Sequence, residues 1–160
     1  MRMVRLKVYF AKHIIYPLLS LLKQGISSEK LSLTLALGIS FGIMPFFGVS
    51  SAILTVLALI FHLNIVAIQL VNYGVYLIQM VLFVPFLELG NVIFGSSKCI
   101  LNFENLFYMI KANFWGSISE IWQISFSGLL LWFIISIPLS ISIYYFSKPF
   151  FYKHAQKINS

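Results

Sequence analysis

The sequence predicts an all-α integral membrane protein. The expected order is an N-terminal basic amphipathic helix, a glycine- and proline-broken helical hairpin, and two further spanning helices joined by an interfacial helix. Three observations carry that fold class. Of 160 residues, 60% are hydrophobic and only 9% charged, too few charges to cover a water-facing surface. No Lys, Arg, Asp or Glu occurs from Leu31 to Leu87. The basic residues gather at the two ends: Arg2, Arg5, Lys7, Lys12, Lys23 and Lys30, then Lys148, Lys153 and Lys157. The same composition excludes a disordered chain, and the lone Cys99 excludes a disulfide scaffold. One domain over residues 1–160 fits the length.

Residues 1–25 are expected to form the surface helix. Val4, Val8, Ala11, Ile15, Leu18 and Leu22 recur at helical spacing, and Arg2, Arg5 and Lys12 can reach headgroups. The apolar run from His13 to Leu22 is short and meets Lys23 rather than a small-residue cleavage site, which argues against a signal peptide. Pro17 is expected to bend this helix and Gly25 to end it. Ser27 or Ser28 then caps the next helix, with Glu29 favourable in its first turn.

Residues 28–61 read as the broken hairpin. Gly42, Pro45 and Gly48 divide the apolar stretch into Leu31–Met44, about 21 Å as a helix, and Val49–Phe61, about 20 Å. Neither crosses about 30 Å of hydrocarbon alone. Residues 65–87, about 34 Å, are long enough for one crossing. Residues 88–117 read as an external interfacial segment: Asn102 caps a short helix with Phe103, Phe107, Ile110 and Phe114 on one face and Trp115 beside it. Ser117-Ile118-Ser119-Glu120 resembles a capping box, so residues 118–147 are expected to form the last spanning helix, kinked at Pro138. Residues 148–160 are a basic cytoplasmic tail. A returning hairpin keeps both basic ends on the cytoplasmic side, as the positive-inside rule requires; a single span over 31–61 does not.

Two patterns bear on function. Gly38-x-x-x-Gly42-x-x-Pro45-x-x-Gly48 puts a small, flat surface on one helix face and then breaks the helix. It reads either as a packing notch with a tight turn or as a broken helix lining a site. Gln69, Asn72, Tyr76 and Gln79 fall on one face of the spanning helix. They form either a binding seam for a headgroup or small solute, or a set of hydrogen bonds that fixes helix register. Glu88 is the lone acid beside a span, a candidate proton or cation ligand or an interfacial charge. His62 is expected at the cytoplasmic end of the hairpin. Catalytic constellations, metal-ligand sets and phosphate-cradling glycine loops do not appear, so no enzyme, no metal and no cofactor is expected. Nucleic acid is not an expected partner, because the basic residues form no stripe with aromatic platforms.

The stretch from Leu22 to Ser50, with Gly25-x-Ser27-x-x-Lys30-x-Ser32 ahead of the glycine–proline pattern, continues into Leu63-Asn64, Gln69-Leu-Val-Asn72-Tyr73 and Pro85-Phe-Leu-Glu-Leu-Gly90. Over residues 17–95 it resembles the bacterial membrane proteins catalogued as domain of unknown function number two thousand and sixty-two. Many relatives carry proline after the position of Asn72; here Tyr73 stands there. Some relatives are joined to glycosyltransferase domains that act on polyprenyl-phosphate sugars. The resemblance implies an integral membrane protein of undetermined activity; with the charge placement, the expected location is the bacterial inner (plasma) membrane, multi-pass with both termini cytoplasmic. Its expected role is an accessory or scaffold component of envelope or lipid-linked glycan processes. Its expected partners are a bilayer with anionic headgroups, a membrane protein such as a glycosyltransferase, and a second copy of the chain. The alternative function is an oligomeric transport component for small solutes or ions, lined by the broken hairpin and the polar seam.

Overall fold

The computed structural model describes residues 16–23, 26–46, 48–94 and 114–159. Six helices follow in order: α1 Tyr16–Lys23, α2 Ser28–Gly42, α3 Val49–Ile60, α4 Ile65–Gly74, α5 Tyr76–Phe94 and α6 Phe114–Asn159. The fold is all-α, and α5 and the Ile121–Gln156 part of α6 are long and apolar enough to cross a membrane. Most of the expected surface helix and the interior of the expected interfacial helix, with Asn102, Phe103, Phe107 and Ile110, lie outside the described residues.

α2 is the central element. Ser27 caps it, its side chain accepting from Lys30 N at 3.3 Å, with Glu29 in the first turn. From Leu31 to Gly42 every residue is buried or half-buried, so other helices cover most of this stretch. Its hydroxyls are satisfied locally: Ser32 Oγ donates to Ser28 O and Thr34 Oγ1 to Lys30 O, both at 2.7 Å. Such back-bonding lets polar side chains sit in an apolar interior. Around α2, α4 runs parallel, with Val71 beside Gly38 and Val75 beside Gly42. α6 runs antiparallel, with Lys148 beside Glu29 and Trp132 beside Ser40. α3 folds back against α2 and α4, burying Leu54 and Ala58 with Leu63 and Ile68. The outer faces of α3, α5 and α6 expose large apolar side chains such as Val56, Val81, Val92 and Phe146, as a hydrocarbon solvent allows.

One end of the molecule collects α1, the starts of α2 and α4 and the last turns of α6, where Leu31, Ala67, Val71 and Phe151 form a cluster flanked by Leu19, Ile26 and Ala155. At the other end of α2, Ile43, Met44, Val75, Phe86, Leu131 and Trp132 pack together. Beyond that level α5 and α6 continue as a pair.

Three boundaries differ from expectation. The helix expected unbroken over 65–87 is interrupted at Val75, whose N–H is shared among the carbonyls of Val71, Asn72 and Tyr73, and its second half runs on to Phe94. The last helix begins at Phe114, so Ser117 lies inside it rather than capping it. It also runs without a break through Pro138 and Pro149 to Asn159, so the tail expected after residue 147 is helical to that point. Its 46 residues rise about 69 Å, more than twice the hydrocarbon thickness. Just past the first of these prolines, Ser142 Oγ back-bonds to Pro138 O at 2.7 Å. Pro17 stands beside Tyr16 at the start of the described part of α1, and the residues before it, where the expected bend would show, lie outside the described residues.

Close approach of α5 and α6 depends on Gly90 and Gly128. A Cβ on Gly90 meets Ser127 O at 2.5 Å and Gly128 N at 2.6 Å, both rigid backbone. Gly48 differs: its φ of +82° needs glycine, yet a Cβ there has open space. Gly90→Ala is expected to force the two helices apart and destabilise by about 1–3 kcal/mol. Gly48→Ala is expected to cost about 1 kcal/mol through backbone strain. Thermal unfolding of the detergent-solubilised protein checks the order, Gly90→Ala melting lower than Gly48→Ala.

Candidate functional site

The site is the break between α2 and α3. Met44 N donates to Phe41 O at 3.1 Å, one residue short of the helical pairing, because Pro45 has no N–H to reach that carbonyl. Ser40 O therefore loses its helical donor, and Met44 O lies beyond the helix. Both carbonyls are answered from other helices. Trp132 Nε1 of α6 donates to Ser40 O at 2.9 Å, and Gln79 Nε2 of α5 donates to Met44 O at 2.7 Å; both bonds are buried. Phe46 N also donates to Met44 O, at 2.8 Å. The indole of Trp132 is held edge-on against Phe41, with ring centroids 5.3 Å apart.

A second hydrogen-bonded group lies on the α3 side. Gln69 Nε2 donates to Ser51 O and Thr55 Oγ1, both at 2.9 Å. Asn72 Nδ2 donates to Ser51 Oγ at 2.9 Å and to Gln69 Oε1 at 3.3 Å. Gly42 makes this possible, since a Cβ on it presses on Val75 Cγ2 and comes within 3.2 Å of Asn72 Oδ1. Gly38 gives the same closeness one turn earlier, where a Cβ meets Val71 at 2.7 Å. Pro45 is buried in the turn and Gly48 supplies its positive φ.

The four polar residues of the seam are thus not one lining. Gln69 and Asn72 join Ser51 and Thr55, while Gln79 stands apart on Met44 O. Tyr76, at the start of α5, is 40% exposed. Glu88 is exposed on α5. The interruption at Val75 separates the first pair from the last two.

All groups in the site are neutral amides, hydroxyls, an indole and backbone, so its chemistry is hydrogen bonding. Among the described residues no group of three His, Cys, Asp or Glu is placed to hold a metal. Charge appears at the opposite end of α2, where Lys148 Nζ meets Glu29 Oε1 at 2.7 Å. That hydrogen bond, with the attraction of the ammonium, holds the Glu29 carboxyl below its ordinary value.

Sequence reasoning missed Trp132, Ser51 and Thr55. An indole N–H within an apolar helix needs an acceptor, and the carbonyls freed at a proline break are the natural ones. Ser51 and Thr55, one turn apart on the helix after that break, present a hydroxyl face to the amides of Gln69 and Asn72.

The family described as "Uncharacterized protein conserved in bacteria (DUF2062)" matches residues 11–159. No curated protein and no solved structure matches the chain.

Trp132→Phe keeps the ring against Phe41 but leaves Ser40 O buried without its indole donor, a loss of about 1–3 kcal/mol. Gln79→Leu removes the corresponding side-chain donor from Met44 O, with a smaller expected loss because Phe46 N remains. Ser40→Ala is the control: among the described residues its buried hydroxyl has no hydrogen-bond partner. Melting temperatures in detergent are expected to fall for Trp132→Phe and Gln79→Leu and to stay level or rise for Ser40→Ala.

Proposed function

The chain belongs to the bacterial DUF2062 family, and from that premise we propose that this membrane protein is an accessory or scaffold component of envelope or lipid-linked glycan processes, contributing shape and surface rather than a reaction. The observation that carries the proposal is the commitment of the seam. The side-chain N–H groups of Gln69, Asn72 and Gln79 are engaged by the hairpin's own carbonyls and hydroxyls, or by each other. Amides so engaged close a fold; a transport path needs polar groups that exchange partners with a passing solute.

The proposed topology is two crossings, by α4–α5 and by α6, with α2 and α3 as a hairpin that enters the bilayer and returns. α2 rises about 22 Å, short of the hydrocarbon thickness. Its turn packs level with Trp132, about 16 Å along α6 from Ile121 and so inside the apolar run. Such a break is tolerated at membrane depth only when protein surrounds it, and α3, α4, α5 and α6 do. The ends that carry Lys30, Lys148 and Lys153 then share one face, the cytoplasmic one of the inner membrane by the positive-inside rule.

In a chain carrying Cys99→Ser, single cysteines at His62 and Lys153 are expected to react with a membrane-impermeant maleimide from the cytoplasmic side alone. Labelling from opposite sides overturns the topology. For the role, affinity purification of the tagged chain from cross-linked native membranes is expected to recover a glycosyltransferase or another envelope enzyme. Recovery of none removes the accessory reading, and liposome flux abolished by Asn72→Leu replaces it with transport.

A further inference from the structure

We propose that the cavity lined by Ile26, Ser27, Lys30, His62 and Asn64 is a binding site for a phosphate group. The cavity, of about 280 Å³, lies where the approach to α2, the end of α3 and the start of α4 meet. Its residues come from separate stretches of chain, and those able to bond a ligand are a cationic side chain, an imidazole, an amide and a hydroxyl.

The balance of donors and acceptors around it is one-sided. Ser27 Oγ already accepts from Lys30 N at 3.3 Å and Asn64 Oδ1 from Ala67 N at 2.9 Å. Three carbonyls near the end of α3 are paired as well: Leu57 O with Phe61 N at 2.9 Å, Ala58 O with Leu63 N at 2.8 Å and Leu59 O with His62 N at 3.3 Å. The neighbouring carboxylate, Glu29, is turned to Lys148. What the cavity still offers is the Lys30 ammonium, the His62 imidazole, the Asn64 amide N–H groups and the Ser27 hydroxyl, a set that matches a multi-oxygen anion. The first turns of α2 and α4 bring partial positive charge to the same place and the end of α3 partial negative charge, two positive helix ends against one negative.

His62 carries a separate sign. The hydrogen bonds from His62 N and Leu63 N form a helix-ending turn whose left-handed residue is ordinarily glycine or asparagine. Here it is histidine, at φ 50°, exposed and strained. The stop itself does not need an imidazole; the cavity beside it gives the ring a use. The cavity lies at the end of the molecule that carries Lys30, Lys148 and Lys153. A lipid headgroup and a free phosphate compound are the two sources of such a ligand, and the lipid source alone rests on the topology proposed above.

The test uses the full chain in non-ionic detergent, with binding of dioctanoyl phosphatidic acid read by native mass spectrometry. Lys30→Gln combined with His62→Gln is expected to weaken binding by about tenfold or more, and Lys30→Arg to retain it. Both positions are exposed, and elution volume and helicity confirm that the variants fold. Competition by inorganic phosphate identifies a free-phosphate ligand; binding that inorganic phosphate does not displace identifies a lipid-borne one. The proposal is overturned if the double variant binds as the parent does, or if dioctanoylglycerol, which lacks the phosphate, binds equally well. Because the measurement is independent of sidedness and of any partner, it fails separately from the accessory reading.

Discussion

A backbone that leaves helical pairing inside an apolar layer must find its donors within the protein, and the rest of the structure is arranged around that requirement. Pro45 withholds an N–H, Met44 N shifts to Phe41 O, and Ser40 O is left for Trp132 while Met44 O is left for Gln79 and Phe46 N. An unanswered group in hydrocarbon costs several kcal/mol. Apolar contact sets no comparable penalty on sliding, because lipid tails are as apolar as leucine. The two long-range bonds therefore fix the height of α6 and of α5 against α2, and apolar packing fills in between them.

Those bonds form only because backbones come close. Gly38 and Gly42 admit Val71 and Val75, which brings α4 near enough for Asn72 to sit beside Gly42 and reach Ser51. Gly90 and Gly128 do the same for α5 and α6 on the far side of the turn. The two small-residue seams lie at different heights and join different helix pairs. Together they hold the break from both sides, which is why a turn with no charged residue of its own is held among four helices.

Much of this was legible in the sequence. The absence of charge from Leu31 to Leu87, the Ser27 cap and the glycine–proline pattern each report a local constraint, and the helices at 28–42 and 49–60 lie within the segment assigned to the hairpin. Long-range effects were not legible. Gly74 stands one residue before Val75, yet a single glycine inside an apolar pattern is tolerated in a helix, so periodicity read straight through the interruption. Ser117-x-x-Glu120 has the residues of a capping box, yet such a box caps only if the preceding residues leave the helix, and α6 already runs through them. Trp132 carries a requirement for an acceptor without saying which carbonyl supplies it. That choice belongs to the packing, more than ninety residues away along the chain.

The distribution of donors has a direction along the molecule. At the turn, the donors from other helices are neutral amides and an indole, and the carbonyls and hydroxyls they meet belong to the protein, while the buried Ser40 hydroxyl has no partner among the described residues. At the opposite end of α2, the caps of α2 and α4 and the stop of α3 engage Ser27 Oγ, Asn64 Oδ1 and three carbonyls of α3, while Lys30 and His62 stand exposed beside a cavity. Closure in the middle argues against a path through the chain. Exposed donors at the other end are the basis of the phosphate site proposed there. The accessory role proposed above calls for this division: an interior that holds its shape in lipid, and an end with hydrogen-bonding capacity left over.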